Sequence, residues 1–173
     1  MIFTCAPTCK HPYHQHGKMA KGAAGMFTSL ATKKLAKRKD GHLNIDVHCH
    51  YFNPTVGQKA SVLNPIQQEV GHIFANQLTR DTNAKQMRDR APMLSDVAVR
   101  LKDMDRMGVD IQAVSPAPFQ YYYFAEPAFG AELARDVNEG MAKLVAQHPD
   151  RLIGLGTVPL QDAELAIKEL KHA

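Results

Sequence analysis

The sequence has no apolar run approaching the roughly 18 residues a helix needs to span a bilayer, and its first residues lack the basic-then-apolar layout of a secretory signal. The expected place is the cytoplasm, with no membrane partner. Cysteine is scarce: Cys5, Cys9 and Cys49 are too few and too unevenly spaced for a disulfide framework, which suits a reducing compartment. Acid is nearly missing from the first 40 residues, where eight lysines and arginines face Asp40 alone. That segment carries +7 of the formal charge, which leaves −3 for the rest of a chain whose total is +4. The basic pI thus belongs to an N-terminal extension and says little about what the folded body binds.

What is present is enough for one ordinary domain. The chain has 173 residues, 45% of them hydrophobic and 22% charged, the composition of a globular protein with a real core. Residues 1 to 41 are expected to form a flexible basic extension. Its Cys5, Cys9, His11, His14 and His16 invite a zinc reading, but Lys10 alone separates Cys9 from His11, where structural zinc sites place a loop of a dozen or so residues. Met19 to Lys39 shows an imperfect helical stripe mixed with lysines and interrupted by Gly22 and Gly25. Without interleaved aromatics, a nucleic-acid motif or a lipidation signal, this run reads as a solvated face, and no nucleic-acid partner is expected.

From residue 42 onward the pattern changes. In Leu43-Asn44-Ile45-Asp46-Val47-His48-Cys49-His50, apolar and polar residues alternate as on a β-strand, so His48 and His50 fall on one side with Cα atoms about 6 to 7 Å apart. Asp46 is expected on that side too, and Cys49 on the other as a small buried hydrophobe. Two neutral imidazoles at this spacing are half of a metal site. The competing reading is a satisfied pair of core histidines. A polar triplet on an otherwise apolar strand needs a ligand, a metal or a hydrogen-bond network in either case.

Ile66, Val70, Ile73, Phe74 and Leu78 recur at helical spacing and predict a helix from about Pro65 to Arg80, with proline at its start. The charged stretch from Asp81 to Pro92, with Lys85, Arg88 and Arg90, has two readings: a lid over the site, or ordinary surface. Ser95 and Asp96 offer an N-cap, Val97, Leu101 and Met104 a stripe, and Gly108 a left-handed stop, giving a helix over 96–107. A strand over Val109 to Ser115 follows. Just past it, Phe119, Tyr121, Tyr122, Tyr123 and Phe124 read as a pocket wall for a flat, unsaturated substrate, against a packed loop cluster or a subunit interface. Pro127 opens a helix ending near His148, Arg151 to Pro159 reads as a buried parallel strand with two close-approach glycines, and Asp162 caps a final helix.

Strand, helix, strand, helix, strand, helix, with the chemistry-bearing residues at the C-terminal strand ends, is the order of an α/β protein built on a parallel sheet. It is also the face on which β/α barrels place their sites. A closed eight-fold barrel takes about 250 residues, so residues 42–173 are expected to be about three βα units, the N-terminal part of a TIM-type barrel, truncated or completed elsewhere. The open apolar edges of such a piece make a homo-oligomer an expectation as well.

The residues Ile45-Asp46-Val47-His48-Cys49-His50, Met104-Asp105-Arg106-Met107-Gly108-Val109, and especially Arg151-Leu152-Ile153-Gly154-Leu155-Gly156-Thr157-Val158-Pro159-Leu160-Gln161 with Glu164 to Leu170 resemble the amidohydrolase superfamily. Within it they are most similar to the branch of aminocarboxymuconate semialdehyde decarboxylase and related non-oxidative decarboxylases. The resemblance implies a barrel in which His48 and His50 bind a divalent metal, usually zinc and in some relatives manganese, with a further His and an Asp from later strands. It implies a small-molecule carboxylate substrate, conjugated or aromatic, held by an arginine in the region of Arg88 and Arg90; Phe119 and Tyr121 of the aromatic run are expected, from their own position past the strand end, as further substrate contacts. A hydrolase or hydratase of the same superfamily would use the same histidines, and the chain by itself is expected to be inactive. A non-catalytic binding fragment is the reading from a different class.

Overall fold

The computed structural model describes residues 42–173, so the expectations for the basic extension and its cysteines and histidines lie outside the described residues. Three strands form one parallel sheet in the order β1 (Ile45–Tyr51), β2 (Ile111–Pro116) and β3 (Leu152–Gly154). Parallel neighbours need crossovers, and here helices supply them. β1 leads through α1 (Pro54–Lys59), a 3-10 turn (Ala60–Leu63), α2 (Pro65–Gln68), α3 (Val70–Ile73), α4 (Gln77–Ser95) and α5 (Val97–Met107) to β2. β2 leads through a 3-10 turn (Pro118–Gln120) and α6 (Pro127–Gln147) to β3, and α7 (Ala163–His172) follows.

The helix boundaries follow from local chemistry. Asp96 caps α5 by accepting from the amides of Ala98 and Val99 at 2.8 and 3.2 Å. Gly108, at φ 71°, ends it in the left-handed region that costs a residue with a Cβ about 1 kcal/mol or more. Pro127 occupies the start of α6, where its missing N–H is no loss. Asp162 caps α7 through the amide of Leu165 at 2.8 Å.

The core lies on one face of the sheet. Met104 from α5, Met141 and Leu144 from α6, Val114 from β2 and Leu152 from β3 form a single cluster, with Cys49 and Tyr51 of β1 packed against it. Met104, Val114 and Leu152 are fully buried, and each such side chain contributes about 1.5 to 3 kcal/mol. A second cluster joins Val56 and Ala60 to Tyr122, Ala125, Leu133 and Val137. The opposite sheet face carries His50, Ser115 and Ile153, and Ile153 is 44% exposed.

Two expected elements differ. The helix from Pro65 to Arg80 is broken: Glu69 is extended (φ −75°, ψ 123°), and α4 restarts behind Asn76, whose side chain accepts from Thr79 N at 2.9 Å. The apolar stripe fails to set one helix because it meets no surface. Ile66, Val70, Phe74 and Leu78 are exposed, Phe74 at 83%, and short helices depend on tertiary packing. The charged stretch from Asp81 to Pro92 lies inside α4, which buries none of its residues.

The third strand is also shorter than expected. Leu155 N still donates to Val114 O at 2.8 Å, but at Thr157 the side chain of Asn138 on α6 takes over. It accepts from Thr157 N and donates to Thr157 O, both at 2.8 Å, doing what a neighbouring strand would do. The two glycines of this segment do permit close approach, Gly154 to Met141 and Val145, Gly156 to Asn138.

Candidate functional site

β1 is irregular where the histidines lie. Its register against β2 shifts between Asp46, paired with Gln112, and Cys49, paired with Val114, so three steps along β1 match two along β2. This extra residue is a bulge, and bulges re-aim side chains. Asp46 is thereby turned to the helix side, where it accepts from Gln112 Nε2 at 2.9 Å. The expectation that Asp46 shares a face with His48 and His50 is corrected: strict alternation fails across the bulge.

The two histidines do meet. Their rings are edge to face, with centroids 5.1 Å apart, His48 exposed and His50 half-buried. His50 Nδ1 lies 2.9 Å from Ser115 Oγ and 3.3 Å from Pro116 O. A carbonyl oxygen only accepts, and the Ser115 hydroxyl already donates to Cys49 O at 3.2 Å. With the hydroxyl donating to Cys49 O, a proton on Nδ1 satisfies both oxygens, and a neutral ring in that tautomer offers its Nε2 lone pair. Metal-binding imidazoles are fixed by their other nitrogen in this way. In donor chemistry the pair fits a divalent cation as two neutral nitrogen ligands. Among the described residues no group of three or more His, Cys, Asp or Glu side chains is placed to hold a metal ion.

Cys49 is on the helix side as expected, its thiol 3.4 Å from Ala113 O. Burial pushes its pKa up to about 11, against a smaller opposing pull from the Arg100 guanidinium. It is a packed thiol, not a thiolate ligand.

Of the other candidates, Phe119 is brought to the sheet's C-terminal end, its ring 5.6 Å from that of Phe52, which follows β1. Tyr121 stacks on Tyr123 at 5.4 Å, nearly parallel, and burial raises its pKa, with Tyr123 adding to the effect. The aromatic run is not one wall: Tyr122, at φ 48°, turns inward and is 5% exposed, with Phe124 edge-on against it. The left-handed residue breaks the run into outward and inward rings. Arg88 and Arg90 are exposed on α4 and take no part in the hydrogen bonds around the histidines.

Sequence reasoning missed the residues that hold this end together. Gln120 clasps the backbone of Asn53, accepting from its N–H at 2.7 Å and donating to its carbonyl at 2.8 Å. Asn53 in turn caps α1, and Gly140 of α6 is the residue whose missing Cβ makes room for its amide. Arg100, 7% exposed, donates to Gln112 Oε1 and to His50 O. One signal was available for Arg100: it is the basic residue inside the apolar stripe of Val97, Leu101 and Met104.

A parallel βα sheet with its candidate ligands at the end of the first strand places the chain among the β/α-barrel proteins. A model of the amidohydrolase family matches residues 45–173, and the chain belongs to that family. It is 39% identical over 77 residues to a 2-amino-3-carboxymuconate-6-semialdehyde decarboxylase of Dictyostelium discoideum, covering 44% of this chain and 21% of the relative. To the enzyme of the same description from Caenorhabditis elegans it is 30% identical over 127 residues, covering 72% of this chain and 31% of the relative. A dihydroxybenzoic acid decarboxylase from Polaromonas sp. JS666, solved with manganese and the inhibitor 2-nitroresorcinol, shares the fold with a TM-score of 0.56 and 23% identity, over 76% of this chain and 34% of that one. The chain thus spans between about a fifth and a third of the curated relatives it matches.

Among the described residues, no helix is long and apolar enough to cross a membrane.

Proposed function

We propose that this chain supplies the first two ligands, His48 and His50, of the divalent metal centre of a decarboxylase acting on a conjugated or aromatic carboxylate. The observation that carries the reading is the meeting of the two imidazoles with His50 Nδ1 engaged by Ser115 and Pro116, which presents Nε2 as a donor. The bound metal would supply Lewis acidity toward the substrate oxygens. The relative from Polaromonas holds manganese; zinc suits imidazole nitrogen equally.

The remaining roles belong to the chain's own residues. His48 and His50 hold the cation, Ser115 holds His50 in the ligating tautomer, and Phe119 and Tyr121 offer flat apolar contact at the strand ends. Arg88 and Arg90 are the candidates for pairing with a substrate carboxylate, to which a guanidinium presents two parallel donors. With two protein ligands among the described residues, where catalytic sites use three, the chain alone is expected to bind metal and not to turn over substrate.

The test is a calorimetric titration of the purified chain with Mn2+ and with Zn2+, beside His48→Ala and His50→Ala. Saturable binding lost in both variants is expected; equal binding in all three proteins overturns the metal assignment. Carbon dioxide release from 2,6-dihydroxybenzoate, beside hydrolysis of an amide and a lactone, separates the chemistries once the site is complete. Hydrolysis without decarboxylation would move the reading to a hydrolase.

A further inference from the structure

The bulge in β1 is held by a specific chain of side chains. Asp46 Oδ1 accepts from the backbone N–H of His48 at 3.0 Å, and Asp46 Oδ2 accepts from Gln112 Nε2 at 2.9 Å. Gln112 Oε1 accepts from Arg100 at 3.1 Å, and the other arm of the Arg100 guanidinium donates to His50 O and, at 3.5 Å, to Leu94 O. The chain starts on the amide of one histidine and ends on the carbonyl of the other. It runs on the face of the sheet opposite the two rings. Gln112 and Arg100 are 5% and 7% exposed, so their hydrogen bonds are shielded from competing water and costly to leave unmade.

This arrangement solves a geometric problem that the strand alone does not. Regular alternation would place Asp46, His48 and His50 on one face, whereas the register shift separates Asp46 from the pair while leaving the rings 5.1 Å apart. A bulge is a local loss of ladder hydrogen bonds, and it persists only where something else satisfies the released groups. Here Asp46 satisfies the His48 amide inside the bulge, and Arg100 holds the His50 carbonyl just past it, where the register with Ser115 is regular again.

We propose that the Asp46–Gln112–Arg100 relay is a positioning device that fixes the backbone of His48 and His50, sets the approach of their rings, and so governs how tightly the pair binds a divalent cation. It rests on the metal assignment proposed above only for its affinity readout; the ring approach is a property of the metal-free chain. Gln112 is the hinge of the relay, because its one amide carries both links. Arg100 works at a distance from the ligand nitrogens and touches neither of them.

The test uses the full chain and Gln112→Met, which keeps the length and burial of the side chain and removes both links. In the metal-free protein, proton cross-peaks between the His48 and His50 rings are expected in the wild type and lost in the variant. Affinity for Zn2+, read by calorimetry, is expected to fall by about tenfold or more, the scale on which supporting hydrogen bonds act at metal sites. Asp46→Ala, at the half-buried end of the relay, gives the same two readings if Gln112→Met fails to fold. Unchanged ring cross-peaks and unchanged Zn2+ affinity in a variant whose unfolding midpoint alone has dropped would mean a merely structural role and overturn the proposal. If instead His48→Ala binds Zn2+ as the wild type does, the metal assignment fails, while loss of the ring contact in Gln112→Met still upholds the positioning role.

Discussion

His50 Nδ1 stands 2.9 Å from Ser115 Oγ across the β1–β2 ladder, where the two residues are register partners. With the hydroxyl donating to Cys49 O, it accepts from the imidazole in the Nδ1–H tautomer. Ser115→Ala removes the nearer acceptor and leaves Pro116 O at 3.3 Å. Zn2+ affinity is expected to fall by up to about tenfold with the fold retained, the low end of what such supporting contacts contribute. Calorimetry on the variant, with the unfolding midpoint as control, checks this; an affinity equal to the wild type would refute it.

Glu169 on α7 is 3% exposed and receives Arg135 Nε at 2.6 Å and Asn138 Nδ2 at 2.7 Å. Since Asn138 also holds Thr157, this carboxylate ties α7 to α6 and to the segment that follows β3. Glu169→Ala leaves a buried amide and a half-buried guanidinium short of an acceptor, and the expected cost is about 2 to 4 kcal/mol. Urea unfolding measures it. A loss below about 0.5 kcal/mol would show the link to be dispensable.

Cys49 gives a dependence on pH. Burial raises its pKa from 9.0 to about 11, so the folded state holds the thiol proton more tightly than the unfolded state does. The stability from this group is present in full below about pH 9 and is lost as the pH rises from there through about 11. In a variant with Cys5 and Cys9 replaced by serine, alkylation at pH 8.5 is expected to be slow in buffer and fast in urea. Equal rates in both would contradict the buried, protonated thiol.

Gly140 faces the Asn53 side chain with no room for a Cβ. Gly140→Ala is therefore expected to destabilise by about 1 to 3 kcal/mol, the range for overpacking, even though alanine is the better helix former. Because Asn53 is clasped by Gln120 and caps α1, disorder should spread to the strand-end loops that carry Phe52 and Phe119. Amide exchange at Thr55 and Val56 reports it; a stabilised protein with unchanged exchange would count against the packing account.

Local chemistry was enough to place α5, α6 and α7, because an aspartate cap, a proline at the first turn and a left-handed glycine act within a few residues. The family, the parallel βα order and the pairing of His48 with His50 were legible for similar reasons: strand parity and strand-end position survive in one dimension. Only the tertiary structure decided that Asp46 leaves the histidine face, that Pro65 to Arg80 breaks into three helices, that Tyr122 turns inward, and that Ser115, Gln112 and Arg100 gather around the pair. Each of these depends on partners 12 to 66 residues away or on a surface that is absent from the local pattern. Periodicity assigns faces, but a bulge, a buried hydrogen bond and an unburied stripe are settled by what packs alongside.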